Sequence, residues 1–175
     1  MNALISLLTI CVTLSALMLS TGLAQATGID DYSKGHGGTL ACGGSHFSRV
    51  AGNELHRTAY VFRNFSGYAT IRIERILVFD ANGNVLFEYP GVDLPVSVKT
   101  ELGPHETTQI NTGDILVEDL EPAARPIQTH VKWSYNDVHK GIALNGSTVR
   151  TVRAADTGAE LSRASSECSL INHRR

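Results

Sequence analysis

The chain has 175 residues, 15 Lys and Arg against 17 Asp and Glu, a formal net charge of −2, and is 42% apolar and 18% charged. This composition belongs to an ordinary globular domain and excludes collagen-like, coiled-coil and intrinsically disordered chains. The near-neutral balance leaves no global basic field to hold a nucleic acid backbone, so no nucleic acid partner is expected.

The chain opens on an apolar run from Ala3 to Leu19, interrupted only by Ser6, Thr9, Thr13 and Ser15, and Ala24-Gln25-Ala26 follows as the small-x-small pattern of a signal peptidase site. Residues 1–26 are therefore read as a signal peptide cut after Ala26, with no membrane span left afterwards. The region before the run has no Lys or Arg, and the run approaches the roughly 20 residues that span a bilayer, so an uncleaved anchor is the alternative. Cys11 lacks the small neighbours of a lipoprotein cysteine. Export leaves roughly 149 residues, which is one domain, large enough to bury about 68–70% of its unfolded surface.

Residues 27–45 carry six glycines and few large apolar side chains, and read as a flexible lead pinned at Cys42. The domain proper is expected over 46–172. Residues 55–64 alternate as a strand with large groups on both faces, Tyr60 and Phe62 on one of them. Residues 68–80 follow, with Ile71 and Ile73 in one parity and Ile76 and Val78 in the other, so a bulge or sheet crossing is predicted near Glu74. Asp80-Ala81-Asn82-Gly83 is a turn, and Val85, Phe87 and Tyr89 complete a hairpin.

Val96, Val98 and Leu102 predict a strand over 95–102. Residues 106–112, with Ile110 as the one strongly apolar side chain, predict an exposed edge strand. Residues 114–120 fit helix and strand equally. Ile127, Thr129, Val131, Trp133 and Tyr135 alternate with polar residues as the clearest half-buried strand. Asn145-Gly146 within 142–152 is a hairpin signal, and Asp156-Thr157-Gly158 turns the chain into a last polar strand ending near Ile171. About eight short strands and no long amphipathic helix predict an all-β antiparallel sandwich of about 7–9 strands.

Without the leader two cysteines remain, Cys42 and Cys168. In an oxidising compartment an isolated pair is expected to be bonded, tying the two ends of the domain together. The alternative is a thiol that is metal-bound or reactive, although neither cysteine has a second one two residues away.

The string Val78-Phe79-Asp80-Ala81-Asn82-Gly83-Asn84-Val85-Leu86, followed by Leu102-Gly103-Pro104-His105-Glu106-Thr107, resembles the rhythm of small bacterial immunoglobulin-like exported modules. The resemblance implies an immunoglobulin-like sandwich used for binding, spacing or assembly rather than catalysis. It carries no functional residues over, and the tryptophan and cysteine spacing of antibody domains is not reproduced.

Several constellations bear on chemistry. His36-Gly37-Gly38-Thr39 has the look of a lipase oxyanion loop, but the Gly-x-Ser-x-Gly elbow is missing. The Gly-x-x-x-x-Gly-Lys of a phosphate loop is missing as well. The seven histidines show no His-x-His spacing, which leaves His36 and His46 near Cys42 as candidate metal ligands. Residues 76–121 hold nine acids against Lys99 alone, a balance of −8, whereas residues 122–175 hold eight Lys and Arg against four acids, a balance of +4. Asp114, Glu118, Asp119 and Glu121 are the candidate acidic cluster for calcium or a basic partner, or else a solvated face that protects a sheet edge. Asn64-Phe65-Ser66 and Asn145-Gly146-Ser147 satisfy the glycosylation sequon.

The expected function is that of an exported, periplasmic or secreted, disulfide-closed sandwich, a binding or envelope-associated module without catalytic activity or cofactor, whose partner is a protein or an envelope component. Tyr60, Trp133 and Tyr135 are its candidate ligand surface, with core packing as their alternative role. A periplasmic metal-binding protein using His and acidic residues is the second reading, and a small hydrolase the third.

Overall fold

The computed structural model describes residues 36–136 and 142–174. The expected leader over 1–26 and the first part of the expected lead, 27–35, lie outside the described residues. Eleven strands form two antiparallel sheets packed as a sandwich, which is the expected architecture with more strands than expected.

In chain order the strands are β1 (His36–Gly44), β2 (Phe47–Arg49), β3 (Glu54–Asn64), β4 (Ile71–Phe79), β5 (Val85–Tyr89), β6 (Glu101–Leu102), β7 (Thr107–Asn111), β8 (Ile127–Tyr135), β9 (Leu144–Ala154), β10 (Glu160–Glu167) and β11 (Ser169–Arg174). The 6-stranded sheet runs β11-β1-β8-β4-β5 with β6 paired to β4, and the 5-stranded sheet runs β10-β9-β3-β2 with β7 paired to β3.

The strongest alternation becomes the middle of the first sheet. Ile127, Thr129, Val131, Trp133 and Tyr135 of β8 are buried while their neighbours are not. Opposite them the inward face of β3 and β9 supplies Thr58, Tyr60, Phe62, Asn64, Leu144 and Thr148, all buried. Large apolar side chains withdrawn from water in this way each stabilise the fold by about 1.5–3 kcal/mol. The predicted parity switch in β4 is present, because the β4–β8 register shifts between Ile73 and Arg75 and buries Ile71 and Ile73 before it and Ile76 and Val78 after it. The β4–β5 hairpin is also as expected. Its Asp80 accepts from the amides of Asn82 and Asn84 at 2.8 Å each, and Gly83 takes the positive φ of 85° that the turn requires. Those hydrogen bonds, the Asn84 side chain foremost, hold the Asp80 carboxyl below the usual carboxylate range.

Five expectations are corrected. The glycine-rich lead is no flexible segment over 36–44: it is β1, flanked by β8 and β11, with Thr39, Leu40 and Cys42 buried. Its glycines let backbones close up, since a Cβ at Gly38 would stand 2.6 Å from the Asn172 carbonyl oxygen and 2.9 Å from the Trp133 ring. The strand expected over 95–102 shrinks to β6, because the chain turns at Pro95, with the Val98 amide on the Pro95 carbonyl, and leaves Val96 exposed.

Asn145-Gly146 makes no hairpin. Both residues lie in β9, paired to Arg63 and Phe62, and Gly146 is there because a Cβ would meet Cys168 Sγ and Leu40 Cδ1 at 3.0 Å each. The last polar strand is two strands, β10 in one sheet and β11 in the other, and the chain crosses between them at Cys168. The ambiguous stretch 114–120 is neither element: one helical turn, Thr112–Ile115, precedes an irregular segment that buries Leu116 and exposes Val117.

Cys42 and Cys168 are joined, with Cα atoms 4.5 Å apart and 126 residues between them in sequence. The bond links β1 to the crossing between β10 and β11, so it ties the first strand of the sandwich to its last two.

Candidate functional site

The register places each side chain of the 5-stranded sheet. Tyr60 faces the core and pairs with Thr148, which puts every second residue of β9 on the inner face: Leu144, Gly146, Thr148, Arg150 and Val152. The pairs Phe47–His56, His56–Val152 and Val152–Ser162 then form one inner row across β2, β3, β9 and β10, and Thr58–Arg150 and Arg150–Ala164 form the next.

The first sheet covers only part of these rows. β1 ends at Gly44, opposite Ile127, and a Cβ at Gly44 would lie 3.2 Å from Thr58 Oγ1. Past that point the inner face of β3, β9 and β10 opens into a groove of about 420 Å³, lined by Gly44, Ser45, Phe47, His56, Arg125, Pro126, Arg150, Thr151, Val152, Ser162 and Ala164. Its size is that of a small-molecule site.

Phe47 anchors the groove wall. The His56 ring stacks on it with centroids 4.1 Å apart and planes at 13°, and the Arg125 guanidinium carbon lies 3.8 Å from the ring centroid. Two groups this close to one ring occupy its opposite faces, so Phe47 is sandwiched between imidazole and guanidinium. Arg125 is also anchored by its Nε on the Leu120 carbonyl at 3.0 Å and its Nη2 on the Ser48 carbonyl at 3.3 Å. His56 Nε2 lies 3.0 Å from Glu54 Oε2, and this hydrogen bond, helped by Arg49, holds the Glu54 carboxyl below the usual range. Arg150 forms no ion pair or hydrogen bond with any other described side chain, and no carboxylate lines the groove itself.

The residues singled out from sequence fall elsewhere. Tyr60, Trp133 and Tyr135 are at most 2% exposed and therefore line no accessible surface. They are core, as large apolar groups at inward strand positions must be, and burial pushes the Tyr60 phenol up to about 12 against an opposing pull from Thr129. The candidate metal ligands do not converge among the described residues. His36 stacks on Tyr135, and Asp114 accepts from the Asn111 side chain. Glu118 is exposed, and Glu121 opens a short 3-10 turn.

Only His46 and Asp119 meet, at 3.7 Å, and a guanidinium is already there, with Arg57 Nη2 at 2.9 Å from Asp119. Burial pushes the Asp119 carboxyl up, but the Ser48 hydroxyl, Arg57 and His46 together hold it below the usual range. A cation between His46 and Asp119 would face Arg57, so this pair is structural. Of the sequons, Asn64 is completely buried and its side chain is committed to three carbonyls.

Several acids of the acid-rich stretch are engaged locally. Asp80 is spent in its turn, Glu88 on Arg75 and Glu106 on Lys99. The groove residues were missed because the hairpin read at Asn145-Gly146 broke the count along β9. A continuous alternation from Leu144 puts Arg150 at an inward position, and an arginine there is the available signal.

A buried and a half-buried histidine carry a pH signature. His46 is 2% exposed, and burial first and Arg57 second lower its pKa, against Asp119. Burial lowers that of His130, whose ring nitrogens are both shut from solvent and whose ring packs edge-on to Phe79. A histidine with a lowered folded pKa takes its proton in the unfolded state first, so stability is constant above about pH 6.5 and falls below it. The stability read from urea midpoints should drop between about pH 7.5 and about pH 5.5, by about 1.4 kcal/mol per histidine at most. Replacing both histidines with asparagine should flatten that slope, and a midpoint that holds or rises on acidification would refute the assignment.

No helix among the described residues is long and apolar enough to cross a membrane. The chain matches no protein-family model, no curated protein and no solved structure.

Proposed function

We propose that this chain is an exported, immunoglobulin-like binding module, periplasmic or secreted, that holds a protein or an envelope component at the end groove of its sandwich and performs no chemistry on it. The observation that carries this reading is the groove itself: most of its lining residues are paired strand positions in a domain whose ends are locked by Cys42–Cys168. Such a site is preformed, which lowers the ordering cost of binding. Export is supported by the apolar leader with Ala24-Gln25-Ala26 and by a disulfide of the kind that persists outside the cytosol.

Binding is preferred to catalysis because the groove offers no nucleophile beside a base. His56 and Ser162 share a row but stand two strands apart, about 10 Å at the usual strand spacing. The test is to express the whole chain with its own leader in a Gram-negative host, fractionate the cells and determine the first residue and the free thiols. A periplasmic protein beginning at Thr27 with no free thiol is expected. A cytosolic protein with both thiols free would overturn the reading.

A further inference from the structure

Arg150 continues the inward parity of β9 past the point where the other sheet covers it, and is exposed there. It lies between Thr58 and Ala164 in the inner face, two residues along β9 from buried Thr148, yet it has no partner among the described residues. Because β1 has ended there, its guanidinium stays hydrated and is free to pair with a ligand in the groove.

Arg125 enters the same groove from the opposite wall, and it is held rather than free. Its Nε and Nη2 are fixed on backbone carbonyls and its plane rests on Phe47, so its remaining donor edge is pre-oriented. Glu54, engaged by His56 and Arg49, and Asp119, engaged by Arg57 and Ser48, do not line the groove. Both arginines therefore line one concave space that no carboxylate lines, and that also presents Ser162 in the next strand.

We infer that the groove is an anion site, taking a phosphate or carboxylate group between Arg125 and Arg150. This rests on the reading of the groove as the ligand site and specifies the chemistry it recognises. Guanidinium forks suit such oxyanions because two parallel N–H donors match two oxygens. Since both faces of Phe47 are already occupied, the ligand is recognised by charge and hydrogen bonding and not by stacking an aromatic ring there. The anion is either a free small molecule or one unit of a charged polymer.

The experiment is an amide chemical-shift titration of the oxidised mature protein with inorganic phosphate, a glycerol-phosphate oligomer and a neutral disaccharide. Phosphate is expected to move the amides of Gly44, Ser45, Phe47, Arg150 and Ala164 saturably, less so at high salt. Arg150→Gln should weaken binding about tenfold or more with the fold intact, because a charge-assisted pair is lost. Arg150 is the variant of choice because it holds nothing else, whereas Arg125 also supports Phe47.

An oligomer that binds more than tenfold tighter per phosphate than the free ion identifies a polymer as the source, and equal affinity a free anion. Groove shifts with the disaccharide alone overturn the anion assignment and leave the groove as a ligand site. Groove shifts with none of the probes overturn both, and phosphate binding unchanged in Arg150→Gln overturns the role given to that residue.

Discussion

Replacing Cys42 and Cys168 together with alanine lowers the stability of the oxidised domain by about 4–5 kcal/mol, because the bond closes a loop of 126 residues and chain entropy scales with the logarithm of that length. The bond also spares the fold a second cost. β11 is an edge strand with Leu170 and Ile171 about half exposed, and β10 is exposed along its whole length. Neither strand buries enough apolar surface to hold itself in place, so each relies on its ladder and on the crossing at Cys168, whose amide donates to the Gly146 carbonyl at 2.8 Å. Guanidinium denaturation of the double variant, compared with the oxidised parent, reads the effect directly. Amide exchange should show β10 and β11 opening before β3, β4 and β8. A loss below about 1 kcal/mol would mean that the last two strands are held by their ladders alone and that the loop-closure account fails.

How much of this was legible follows from what each signal means physically. Alternation is read reliably where one face must be buried, which is why the Ile127–Tyr135 strand and the parity switch beside Glu74 both appear in the structure. Glycine is a poorer guide, since it marks turns and also the places where another backbone or a sulfur must come close. Gly38 against the β11 carbonyl and Gly146 against the disulfide are of the second kind, and a local reading took them for a pliable lead and a hairpin. The two errors share a cause. What the glycines accommodate is brought there by residues more than twenty positions away, and no local pattern reveals it. The same blind spot hid the groove, because Phe47, His56, Arg125 and Arg150 converge only when β2, β3 and β9 are in register and β1 ends at Gly44.

The aromatic residues show the reverse case. Tyr60, Trp133 and Tyr135 sit in clear inward parity, which is the signature of core, and the structure buries them. The side chains that combine exposure with aromatic surface, Phe65 and Tyr68, lie on the loop between β3 and β4, where no periodicity draws attention to them.

Asn64→Asp is expected to destabilise the domain by about 4 kcal/mol at neutral pH, as much as losing the disulfide, although the two side chains differ by one atom type. Asn64 is fully buried at the end of β3, and its amide nitrogen donates to the carbonyls of Ala69, Leu102 and Gly103 at 2.7, 2.9 and 3.0 Å. Its carbonyl oxygen accepts from the Ser66 amide at 2.9 Å. One side chain thus joins β3 of the 5-stranded sheet to β6 of the other and closes the loop between β3 and β4. A carboxylate there would set a buried negative charge against three carbonyl oxygens, so the introduced acid would keep its proton in the folded state and its pKa would rise. The sign is diagnostic. A carboxyl with a raised folded pKa costs least below about pH 4 and progressively more as pH rises, so the variant's deficit relative to the parent should shrink in acid. Asn64→Ala, which leaves three carbonyls without a donor but adds no charge, should cost about 3 kcal/mol with no such trend. Urea midpoints of both variants across pH separate the two cases, and a deficit for Asn64→Asp that does not depend on pH would show that the site is open to water and that Asn64 does not bridge the sheets.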